Sequence, residues 1–88
     1  MLGGVELPVI ARVECRCESE AEERPEALWI GGVRQPIRGF FDSAVIGGRE
    51  AGDPITRSFT VELPDRVLYR LERTLPDGDW RVSRLIDG

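Results

Sequence analysis

Residues 27–41 read ALWIGGVRQPIRGFF, and this stretch decides the fold class. Two apolar runs flank Gly31-Gly32, a pair that takes positive φ without steric cost and so suits a two-residue hairpin turn. In the second run Val33, Ile37 and Phe41 fall on one face by alternation. Arg34, Pro36, Arg38 and Phe40 fall on the other. Pro36 has no N–H for a ladder, which puts this strand at a sheet edge or makes it bulged.

The same period of two extends outward. Over residues 5–17, Val5, Leu7, Val9, Ala11, Val13, Cys15 and Cys17 share one parity, and Glu6, Arg12, Glu14 and Arg16 share the other. That is the pattern of a half-buried strand. An acidic loop, ESEAEERPEA, is expected between this strand and the hairpin. Its glutamates Glu18, Glu20, Glu22, Glu23 and Glu26 read as solvated, with weak divalent-cation binding as the functional alternative. Residues 42–54, DSAVIGGREAGDP, read as a mobile Gly-rich loop. ITRSFTVEL then points Ile55, Phe59, Val61 and Leu63 inward. VLYRLER and WRVSRLI form a last hairpin across TLPDGD, with Glu72 facing Arg81 and Leu71 facing Val82.

The expectation is a single all-β domain over residues 1–88, with 1–8 as a flexible start. It is a small antiparallel, partly open barrel or sandwich of about six short strands, of SH3-like or OB-like size. Its expected core is Val13, Cys15, Trp29, Ile37, Phe59, Val61, Tyr69, Leu71, Trp80 and Val82.

Composition narrows the function. The 88 residues carry a net charge of −4. Residues 1–26 hold seven acids and three arginines, and residues 27–88 hold nine of each, so the acidity lies at the start. There is no lysine, and all twelve bases are arginine. An acidic chain exerts no global pull on nucleic acid, so such binding needs a local basic patch. The start, MLGGVELPVIA, has no base before its apolar part and carries Glu6 within it, unlike a signal peptide. No apolar run reaches membrane-span length. The expectation is a bacterial, cytoplasmic protein with no membrane partner.

With no histidine there is no Ser-His or Cys-His dyad, and no enzyme is expected. Cys15 and Cys17, one residue apart on a strand, sit on one face too far apart to bridge. A structural zinc site needs about four ligands. Small buried cysteines are therefore the reading, with no metal and no cofactor. Arg34, Arg38 and Phe40 are the candidate binding residues, extended by Arg70, Arg81 and Arg16 if their strands are neighbours. A basic groove with a stacking aromatic is how small barrels hold single-stranded nucleic acid. The alternative is ordinary: Arg81 pairs with Glu72, and Phe40 fills a second small core.

Trp29-Ile30-Gly31, Phe59-Thr60-Val61, Tyr69-Arg70-Leu71, Trp80-Arg81-Val82 and Asp87 carry a resemblance over residues 27–87. The chain resembles a family of small bacterial all-β domains often encoded near translesion-synthesis polymerase genes. Ala27 and Asp42-Ser43 stand where that family has aromatics. The resemblance implies an accessory role in DNA damage tolerance and supplies no catalytic residue. Two functions follow as expectations. One is a non-enzymatic interaction module that meets a protein partner, or a second copy of itself, through an exposed sheet edge. The other is direct binding of single-stranded nucleic acid by the Arg/Phe face.

Overall fold

The computed structural model describes residues 4–19, 22–48, 50, 52–75 and 78–87. Eight strands follow one another: β1 (Gly4–Val9), β2 (Ala11–Ser19), β3 (Glu22–Ile30), β4 (Val33–Pro36), β5 (Gly39–Gly47), β6 (Ile55–Glu62), β7 (Leu68–Leu75) and β8 (Arg81–Asp87). No helix among the described residues is long and apolar enough to cross a membrane. All pairings are antiparallel. The large sheet has the order β1-β8-β7-β6-β5, and the small one β2-β3-β4.

The eight strands come from six runs of chain, because two runs bend from one sheet into the other. The first bends at Ile10, which is 98% exposed between β1 and β2. The second bends at Ile37-Arg38. There the Ile37 amide donates to Glu26 O in the small sheet (3.0 Å), and the next amide, of Arg38, donates to Glu62 O in the large one (2.7 Å). Each run pairs with its sequence neighbours, and β1 returns to β8. The result is the expected small all-β architecture, antiparallel throughout and consistent with a partly open barrel or sandwich.

The turns follow their chemistry. Gly31 and Gly32 both have positive φ, +59° and +79°, as a two-residue hairpin turn between Ile30 and Val33 requires. The last hairpin takes the expected register, Glu72 opposite Arg81 and Leu71 opposite Val82. Between β6 and β7, Asp65 accepts from Val67 N through Oδ1 (2.9 Å) and from the Tyr69 hydroxyl through Oδ2 (3.2 Å). Burial pushes the Tyr69 pKa up.

Three expectations change. Glu22–Glu26 belongs to β3, not to an acidic loop: its backbone pairs with β2 through a bulge that leaves Glu26 unopposed. Glu20 lies outside the described residues. Residues 42–47 extend β5, so the connection to β6 shrinks to residues 48–54. Gly47 marks the boundary, for at φ +97° a Cβ there would lie 2.6 Å from Pro54 O. At the start, residues 4–8 are not a loose lead-in but part of β1, laddered to β8.

Leu28, Val61, Leu63, Tyr69, Leu71 and Val82 form the buried core, with Val13, Ile30, Ile37, Phe59 and Trp80 packed against it. Trp29 is displaced from its expected core place. The Gly-Gly turn fixes alternation so that Leu28 and Ile30 face in and Trp29 faces out. Cys15 is half-buried opposite the buried Pro25. For Cys17 only the backbone is described. Leu28→Ala is expected to cost about 2–5 kcal/mol in urea unfolding, and Val33→Ala, at an exposed edge position, about 0.5 kcal/mol or less. Equal costs would contradict this core.

Candidate binding surfaces

The bend at Ile37-Arg38 separates the residues that simple alternation places together. Arg34 lies on β4, on the outer face of the small sheet. Its Nη2 donates to Glu14 Oε2 at 2.7 Å, and its Nε lies 3.2 Å from each carboxylate oxygen. Trp29 Nε1 donates to Glu14 Oε1 (3.0 Å), and the Arg12 guanidinium lies 5.1 Å from the Trp29 ring centre. Arg34 is thus committed to a bidentate carboxylate contact. Arg38 sits at the bend, 3.9 Å from Glu62. Arg70 projects from the outer face of the large sheet to Glu6, at 2.6 Å. Arg81 is on that outer face too, opposite Glu72. Its shallow surroundings include Glu72 and Asp79. Arg16 lies on β2 opposite Arg24.

Phe40 alone of the five candidates turns to the inner side, since it opposes the buried Val61. Its ring meets Phe59 edge to face at 6.3 Å, and Phe59 lies 6.1 Å from Trp80. Arg24 lies over Phe40 (4.5 Å) and Arg73 over Trp80 (5.9 Å). The Arg73 Nε also donates to Gly78 O at 3.0 Å. The five residues therefore do not form one patch. A different set, Arg24, Phe40, Arg57, Phe59, Arg73 and Trp80, comes together instead. Parity held part of that signal: Arg57 falls in step with Phe59 and Val61, and Arg73 with Tyr69 and Leu71.

The second surface is the free edge of β5. All eight of its residues after Gly39 are exposed, and it is the last strand of its sheet. Phe41 (62%), Val45 (67%) and Ile46 (60%) are its most exposed large apolar residues. Phe41 is the extra residue of a bulge between Phe40 and Asp42.

No group of three or more His, Cys, Asp or Glu residues among the described residues is placed to hold a metal. Comparisons with protein-family models, curated proteins and solved structures found no match to this chain.

The hydrogen bonds from Arg34, then Trp29, hold the Glu14 carboxyl down at about 2, against an ordinary value of 4.5. Its folded pKa is depressed, so its ionised form stabilises the fold above pH about 4.5. That contribution is lost as pH falls toward about 2. Thermal melts of wild type and Glu14→Gln should differ most above this window and converge as pH falls through it. A gap that stays constant from neutral pH to pH about 2 would mean that Glu14 is not held this way.

Proposed function

We propose that this domain is a non-enzymatic interaction module that takes up an extended segment of a protein partner along β5, as one more strand of the large sheet. The supporting observation is the character of that edge. β5 is nine residues long, apolar at Phe41, Val45 and Ile46, and carries one charge, Asp42. Exposed edges are ordinarily protected by shortness, proline or charge. β4 has four residues and Pro36, and β1 has Pro8 and Glu6. β5 has no such protection beyond its bulge. An added strand would bond through the backbone and place alternate side chains beside Val45 and Ile46. The non-enzymatic part of the reading rests on the absence of histidine. The setting in DNA damage tolerance rests on the sequence resemblance alone.

Peptides selected from a random library on the immobilised domain test the proposal. Binding should slow hydrogen exchange at β5 amides and weaken more than tenfold in Val45→Lys/Ile46→Lys, with the melting temperature nearly unchanged because both side chains are exposed. Peptides that bind the double variant as they bind wild type would sink the proposal. Concentration-dependent dimers abolished by the same changes would identify the added strand as a second copy.

A further inference from the structure

We propose that the uncovered end of the large sheet's inner face binds single-stranded nucleic acid, with bases stacking along Phe40, Phe59 and Trp80 and phosphates meeting the flanking arginines. This site is a sheet face that shares Val45 with the β5 edge, and it does not depend on strand addition.

The carrying observation is a segregation of charge by register. In the ladders of the large sheet, the positions in step with the buried Val61, Tyr69, Leu71 and Val82 include Arg57, Arg73 and Arg84, and no acid. Glu6, Asp42, Glu62 and Glu72 all fall on the opposite parity. Arg70 and Arg81 also lie on the outer face, so what the register separates is the carboxylates: the ladder acids are all outward, and Arg57, Arg73 and Arg84 share the inward face with none of them. The inward face is not closed over at this end. Val45, opposite Arg57, is 67% exposed, and Ser43, Val45, Arg57 and Phe59 line a shallow depression. Phe40 is 39% exposed at its rim, beneath the exposed Arg24.

The aromatic row suits a strand better than a duplex. Its centroids step by 6.3 and 6.1 Å, against about 3.4 Å per nucleotide along one strand of a duplex. A chain lying on the row is drawn out, with its bases opened onto the rings. Stacking of this kind tolerates any base, because every base has a π-face. The expected ligand is therefore an unpaired strand of any sequence, and binding should be salt-dependent.

Trp29, on the outer face of the other sheet, makes the test clean, because the chain has two tryptophans. Labelled oligo-dT of about twelve nucleotides, within the site size of small barrels, is titrated at low and at near-physiological salt. Anisotropy and tryptophan emission are read together. Wild type should bind at low salt with quenching. The quench should persist in Trp29→Phe and disappear in Trp80→Phe. Arg24→Ala, an exposed change, should lower the salt slope by about 0.7, the contribution of one phosphate on a single strand. Phe40→Leu should weaken binding several-fold with the salt slope kept. A duplex of equal length should compete less well. No binding at low salt would overturn the proposal. Binding that leaves Trp80 emission unchanged, or that Arg24→Ala and Phe40→Leu do not alter, would overturn it equally, by placing the strand elsewhere on the molecule.

Discussion

Two successive amides set the geometry of this molecule. Ile37 N donates to the small sheet and Arg38 N to the large one. A strand that stayed in one sheet would carry Arg34, Arg38 and Phe40 along a common face. Because the run changes sheets here, Arg34 remains outside with Glu14, and Phe40 turns in towards Phe59. The same bend carries the chain on as β5, which makes that strand the far edge of the large sheet. Both candidate surfaces thus exist because one run changes sheets. Pro36 suits the place: it ends β4 just before the bend, where no ladder donor is required of it.

Much of the fold was legible. Gly31-Gly32 announces its turn, and the sequence alone registers the final hairpin from Leu71-Val82 and Glu72-Arg81. Six runs of alternation were visible. Period two reports which side of a strand a residue occupies, but not which sheet the strand belongs to, so the bends at Ile10 and Ile37-Arg38 leave no mark in it. Bulges are equally silent. The extra residues Glu26 and Phe41 shift parity in mid-strand with no glycine to betray them. Trp29 misleads for another reason. Its size argues for burial, yet the turn beside it dictates the outward face, and Glu14 and Arg12 provide the polar and cationic partners that make that face tolerable. β5 is obscured by composition, since Asp42, Ser43 and the glycines after Ile46 resemble a loop while Ala44-Val45-Ile46 is plain strand.

The site was less legible than the fold, because surface arginines look alike in a sequence. What separates them is the partner each one meets. Arg34, Arg38 and Arg70 each face a carboxylate from another strand. Exposed pairs of this kind add little stability. Their larger effect is on the potential, since each cancels an outward positive charge. Arg24 lies over the Phe40 ring and Arg73 over the Trp80 ring, contacts of a cation with the negative face of an aromatic system.

The return of β1 to β8 has a consequence for how the chain assembles. β2 through β8 can each pair with a strand next to it in the sequence, at the small entropic cost of a short loop. β1 cannot: Gly4 meets Asp87, and Val9 meets Val82. β1 has no ladder partner until β8 is present. During synthesis β1 therefore waits, unpaired and apolar at Val5, Leu7 and Val9, while the strands from β2 to β8 are made. Pro8 and Glu6 sit within that waiting segment, and both discourage it from pairing with a neighbouring chain in the meantime.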